Sequence, residues 1–288
     1  MRFFFITTEH LEDRLWFRDD EDYKVGMNYV AIISYALGIK VIAFILMSNH
    51  VHFLIICRCR EEAELFINKY KTKYSMYYQR KYGTCELLRR NAAEIEEISV
   101  EGESLERIIA YIQMNSVAAN ICLNASGYPW GTGDCFFRVK KMRGICTDTM
   151  SAREKARKLH STLSVPSKWI YVEDGYIDPA SFVETDFVEK LFRTPKRMNY
   201  FLLNSSKAKK KMANNESNTP SFRDQLVNAS IPDLCRSLFL ANSIKELNEE
   251  QTAELVKQIR TCFRSDVNQI SRVTGLPYSD VARMLDRY

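Results

Sequence analysis

The chain has 288 residues, 46% hydrophobic and 27% charged, which excludes most disordered and fibrous classes and leaves length for about two domains. Lys and Arg number 41 against 36 Asp and Glu, and the resulting +5 permits an anionic partner without demonstrating one. The apolar run Val41 to Met47 falls far short of the roughly 20 residues a membrane helix needs, and Phe3 to Ile6 is too short for a signal peptide, so we expect a cytoplasmic protein with no membrane partner. Eight cysteines form no CxxC pair, so we read them as reduced, packed thiols.

Phe3 to Thr7 is a short β-prone run. Asp19-Asp20-Glu21-Asp22 then places acid where a helix dipole favours it, and Val25, Tyr29, Ile32, Ile33 and Ala36 recur at helical spacing before Gly38 closes the element. Two β-rich segments follow, Ile39 to Met47 and His50 to Cys57, separated by Ser48-Asn49 at hairpin spacing. A long helix is predicted from about Glu61 to Tyr82, with Ala63, Phe66, Ile67, Tyr70 and Tyr74 as its inner stripe. Its outer face is expected to carry Lys69, Lys71, Lys73, Arg80 and Lys81, interleaved with Tyr77 and Tyr78. A third helix is predicted from Ser104 as N-cap to about Asn120, ahead of a loop from Ala125 to Gly131.

This order predicts an α+β fold, an antiparallel sheet with helices on one face and the other face free for a site. Domain boundaries are expected at 1–138 for this unit, 139–203 for a connecting subdomain, 204–221 for a polar basic linker and 222–288 for a helical domain.

In His50-Val51-His52, strand geometry sends both imidazoles to one face, about 7 Å apart along the chain, where they can share a metal. By itself an HxH pair is more often a pair of solvent-facing strand histidines. Tyr111 and Asn115 are four apart and therefore neighbours on a helix face, presenting a phenol beside a carboxamide.

The run Ala43 to Ile55 around the two histidines, the acidic segment before the first helix, and Ala110-Tyr111-Ile112-Gln113-Met114-Asn115 followed by Tyr128-Pro129-Trp130 resemble the HUH single-tyrosine transposases, most nearly the REP-associated tyrosine transposases. The resemblance covers about residues 1 to 138. It implies a ferredoxin-like, RRM-like sheet and a tyrosine that attacks single-stranded DNA, leaving a 5′-phosphotyrosine and a free 3′-OH. Residue by residue, it places Tyr111 as nucleophile and His50, His52 and Asn115 as ligands of Mg2+ or Mn2+, with hairpin or palindromic DNA as substrate. Family members usually carry proline and arginine just after the asparagine, where this chain has Ser116 and Ala118. A domesticated relative that binds DNA without cleaving it is the alternative, and the sequence leaves monomer and homodimer open. A histidine-triad hydrolase is discarded because position 54 is Leu.

Further DNA contacts are expected from Lys69, Lys73, Tyr77, Arg80, Lys81, Arg89 and Arg90, which can pair phosphates and stack bases. Lys207, Lys209, Lys210 and Lys211 read as a phosphate-binding strip or as a solubilising linker, the linker being favoured. Residues 267–285 have a helix-turn-helix rhythm with Ile270, Val273, Val281 and Leu285 as core, which would offer Tyr278, Ser279 and Arg283 to duplex DNA. Residues 1–138 carry 16 basic and 18 acidic side chains, so the basic excess lies in the remainder, which is expected to supply much of the salt-sensitive DNA affinity.

Overall fold

The computed structural model describes residues 1–9, 15–83, 92–140, 142–207 and 222–286. Its first part runs β1 (Arg2–Thr7), α1 (Asp20–Leu37), β2 (Lys40–Leu46), β3 (Val51–Cys57), α2 (Arg60–Tyr82), β4 (Glu94–Ile98), α3 (Ser104–Gln113) and a single turn α4 (Asn115–Ala118). The strands form an antiparallel sheet in the order β2-β3-β1-β4, the arrangement of a ferredoxin-like βαββαβ unit. The mixed α/β class is therefore as expected, with the late strand inserted between the second and third helices.

Local chemistry sets the element ends. Asp19 caps α1 in a capping box with Asp22, and Gly38 closes it in the left-handed region at φ 65°. The third helix starts one residue earlier than expected in capping terms, with Glu103 outside it and Ser104 as its first residue, and it breaks at Met114 instead of continuing to Asn120. The edge strand β4 exposes Glu94, Glu96 and Glu97, a charged edge that resists further strand pairing.

The two sheet faces are used differently. Alternation sends Phe53 toward α2, where its ring meets Phe66 and Tyr70 edge-on at 5.2 and 5.4 Å. His52, one residue earlier, faces the opposite side, stacked on Phe5 of the neighbouring β1. That second face, which the sequence left open for a site, is crossed by α3. The outer edge of β2 is covered by the segment around Tyr128, expected as a plain loop. Leu46 N donates to Trp130 O at 2.8 Å, Thr132 N donates to Phe44 O at 3.0 Å, and a Cβ on Gly131 would lie 2.6 Å from Phe44 O, so only glycine fits there.

The region expected as a connecting subdomain holds β5 (Gly144–Cys146), α5 (Ala152–Lys158), β6 (Ile170–Val172), α6 (Thr185–Phe192) and α7 (Pro195–Leu203). Its Trp169, Ile177, Val188, Phe192 and Phe201 join the same buried cluster as the sheet. A second, separate core is built by α8 (Asp224–Phe239), α9 (Glu249–Phe263), α10 (Val267–Thr274) and α11 (Tyr278–Asp286). Between α10 and α11, Gly275 takes the left-handed conformation at φ 72°. Ile270, Val273 and Val281 are buried as expected, but Met284 fills the position assigned to Leu285, which is only partly buried.

Candidate functional site

Strand register builds the centre of the site. Thr7 at the end of β1 pairs with His52 of β3, and Thr8 Oγ1 and Val51 N share a hydrogen bond of 2.9 Å, so the chain leaving β1 delivers Glu9 beside the histidines. His50 sits in the turn that leads into β3, one residue before the strand begins, with Met47 N donating to its carbonyl at 2.8 Å. Even so, the two imidazole rings stand edge-to-face only 5.0 Å apart. Donor atoms of Glu9, His50 and His52 all lie within 4.8 Å of one another.

The chemistry of these groups suits a divalent ion. The Asn49 Oδ1 can only accept, so its 2.9 Å contact fixes the proton of His50 on Nδ1 and presents Nε2 as a lone-pair donor. His52 is fully buried, and neither of its ring nitrogens makes a hydrogen bond of normal geometry. Burial, then the nearby His50 and Lys207 charges, push His52 well below its ordinary range, against a smaller opposing effect of Asn115. A neutral imidazole with unsatisfied buried nitrogens is what a metal ligand requires. The three residues thus form a donor set that fits a divalent cation.

Tyr111 reaches the same point from α3. Leu105, Ile109 and Ile112 pack that helix onto the sheet, and Tyr111 stands half-buried with its ring edge-on to His52 at 5.8 Å and to Phe5 at 5.9 Å. Its hydroxyl donates to Glu9 Oε2 at 3.4 Å. Burial, followed by the negative charge of Glu9 and that hydrogen bond, pushes its phenol up to about 12. One turn later, the Asn115 amide nitrogen donates to the carbonyls of Tyr111 at 2.9 Å and Ile112 at 3.2 Å, which satisfies the end of α3 and leaves the side chain near His52. Glu9, which the sequence reading did not single out, therefore joins His50, His52, Tyr111 and Asn115. A lone acid after a strand carries no local pattern, and only the β1–β3 register shows where it goes.

The expected DNA contacts separate into distinct environments. Lys69 and Arg80 are exposed on α2, and the Lys73 ammonium lies 5.1 Å over the ring of Tyr29. Tyr77 and Tyr78, expected on the outer face, are buried, and so is Lys71. The Tyr77 hydroxyl donates to Asp22 Oδ1 at 2.9 Å. Lys81 is held by Asp19 at 2.7 Å and the fully buried Asp22 at 2.9 Å. Burial works against its charge, yet these carboxylates raise its pKa overall. Arg89, Arg90 and Lys209 to Lys211 lie outside the described residues. Tyr278, Ser279 and Arg283 are all exposed on α11, and Arg283 pairs with Asp280 at 3.2 Å. Among the described residues, no helix is long and apolar enough to cross a membrane.

A four-stranded ferredoxin-like sheet carries two adjacent histidines and a carboxylate that could hold a metal ion, with a helix-borne tyrosine beside them. Residues 12–115 match the family model described as Transposase IS200 like, a stretch that includes His50, His52, Tyr111 and Asn115. Over that stretch the chain is similar to IS200-like transposases. No curated protein and no solved structure matches the chain significantly.

Proposed function

We propose that the protein cleaves and transfers single-stranded DNA, hairpin or palindromic in form, with Tyr111 as nucleophile and a divalent metal held by His50, His52 and Glu9. The observation that carries this reading is the Tyr111 hydroxyl directed at the carboxylate of a three-residue cluster that also contains a buried, neutral histidine. When bound, Mg2+ or Mn2+ would polarise the phosphate oxygens and orient the phosphorus for in-line attack. Asn115 stands beside His52 as a further amide donor, consistent with the ligand role that the resemblance implies.

The chain's own residues then act as follows. Tyr111 Oη forms a bond to phosphorus while the bond from phosphorus to the 3′ oxygen breaks, which leaves a 5′-phosphotyrosine and a 3′-OH. The phenol proton passes to Glu9, its hydrogen-bond acceptor, and the departing oxygen takes a proton from water. Transfer of a proton from a phenol raised to about 12 to a carboxylate is uphill as an isolated step, so it must be concerted with P–O bond formation. The bond energy retained in the phosphotyrosine lets a new 3′-OH reverse the step without ATP.

The test is covalent trapping on end-labelled hairpin DNA with Mg2+ or Mn2+. Wild type should give a denaturant-resistant adduct that chelator prevents and Tyr111→Phe abolishes while DNA binding persists. Binding without any wild-type adduct would overturn the enzyme reading in favour of a DNA-binding relative; an adduct undiminished in Tyr111→Phe would remove Tyr111 as the nucleophile.

A further inference from the structure

We propose that Lys207 is a catalytic residue of this site, its ammonium binding a non-bridging oxygen of the scissile phosphate; the inference rests on the reading of Tyr111 as nucleophile. Lys207 belongs to the stretch that reads in sequence as a phosphate-binding strip or a solubilising linker, with the linker favoured. The fold instead turns it inward. α7 packs on α3, with its Met198 and Phe201 buried, and Arg197 pairs with the buried Glu106 of α3 at 3.0 Å. Ser205, also buried, donates to Leu202 O at 2.9 Å and bends the chain back over α3.

The result is a lysine whose side chain is only 15% exposed, with Nζ 4.7 Å from the centre of the Tyr111 ring and 3.6 Å from Glu9 Oε1. Glu9 thereby bridges the phenol hydroxyl on one oxygen and the ammonium on the other. Arg107, one turn before Tyr111 on α3, turns away to Glu103 at 2.9 Å and stays mostly exposed.

The position answers an electrostatic problem that the cluster creates. A phosphodiester entering beside Glu9 meets a like charge, and its equatorial oxygens gain charge as Tyr111 adds. A preorganised ammonium at the same point offsets both, and such groups act more strongly in a water-poor site than in bulk. Lysine suits the task as a compact point charge on a flexible stem, able to leave Glu9 for a phosphate oxygen without losing contact with the tyrosine ring. The region beyond the sheet domain thus supplies a reacting-centre group as well as support for α3.

The experiment uses the full chain, hairpin DNA with a single scissile phosphate, and Mn2+ or Mg2+, under single-turnover conditions at saturating enzyme. Lys207→Met should slow Tyr111 adduct formation by about 10²–10³-fold while DNA binding changes little, because one phosphate contact is a small share of the total. Lys207→Arg should recover part of the rate, which also guards against a loss due to misfolding. The decisive readout is a methylphosphonate at the scissile position, which removes the oxygen charge that Lys207 would meet. The Lys207→Met penalty should shrink on that substrate. A penalty under about threefold on the normal substrate, or an equal penalty on both substrates, overturns the proposal and leaves the Tyr111 reading standing. Failure of the wild type to form an adduct overturns both.

Discussion

Replacing Asp224 with asparagine probes how the C-terminal helices are fastened to the sheet domain. Asp224 is 1% exposed at the start of α8 and accepts hydrogen bonds from Ser48 Oγ, from Gln269 Nε2 at 2.9 Å and from Arg272 Nε at 3.0 Å. Ser48 lies in the turn just before His50, whereas Gln269 and Arg272 belong to α10, so one carboxylate joins both cores. Gln225 adds bonds to Phe17 O at 2.9 Å and to the Tyr23 hydroxyl at 3.0 Å. Asparagine preserves the shape but strands the Arg272 guanidinium, and removing one partner of a buried pair costs about 3–5 kcal/mol. The Arg272 side chain keeps 22% exposure, which favours the lower end, about 3 kcal/mol.

Because the two cores are separate, the loss should fall on the helical unit. Trp16, Trp130 and Trp169 all lie in the first core, so tryptophan fluorescence follows the sheet domain while far-ultraviolet dichroism follows both. In urea, the dichroism of Asp224→Asn should show an earlier phase displaced by about 1–2 M, with the fluorescence midpoint changing less. The double variant Asp224→Leu with Arg272→Met should recover most of the loss, since no charge is left stranded. Burial would raise the Asp224 carboxyl, but Arg272 and the hydrogen bonds from Ser48 and Gln269 outweigh it and lower the pKa. A lowered native pKa makes this contribution fully present above the unfolded value near 4 and lost as pH falls through the native value. The early phase should therefore appear in wild type on acidification below about pH 4 and be absent in the double variant. A displacement under about 0.5 kcal/mol in Asp224→Asn, or a double variant no better than the single, would refute the reasoning.

His52→Ala should abolish Mn2+ binding, measured by electron paramagnetic resonance or calorimetry, while leaving DNA binding within about threefold; unchanged metal affinity would count against the cluster as its site. Lys81→Met should act on stability, not on DNA affinity, lowering it by about 1–3 kcal/mol because the buried Asp22 loses a charged donor, and a selective loss of DNA binding would contradict that assignment. Lys69→Ala combined with Arg80→Ala should instead weaken binding to all sequences alike and reduce the salt slope by about two, whereas an unchanged slope would take α2 out of the interface. Gly131→Ala should destabilise the sheet domain by about 1–3 kcal/mol, since its Cβ would overlap Phe44 O, and thermal melting followed by fluorescence would detect a smaller effect as disagreement.

Much of the domain was legible because its signals are local. The His-x-His spacing brought His50 and His52 together, although His50 lies in the turn just before β3; a spacing of four put Tyr111 beside Asn115, and the acidic cap and terminal glycine bounded α1. The long α2 was legible in extent but not in orientation. Its tyrosines and lysines alternate too evenly for periodicity to tell inside from outside; Tyr77 is buried with its hydroxyl on Asp22 at the start of α1, Tyr78 with its hydroxyl toward Leu15 O, and Lys71 is buried as well.

The sequence by itself determined the histidine pair, the tyrosine helix and the helical rhythm of the C-terminus, because each is written within a few consecutive residues. Tertiary structure alone decided that Glu9 completes the cluster, that Lys207 turns in to Tyr111 and that Asp224 ties the helical unit to the turn before His50. Glu9 and Asp224 are single acids with no pattern around them, and the basic run that holds Lys207 does not say which side chain it meets. Their partners lie 41 or more positions away in sequence, where strand register and helix docking, not local propensity, choose which side chains meet.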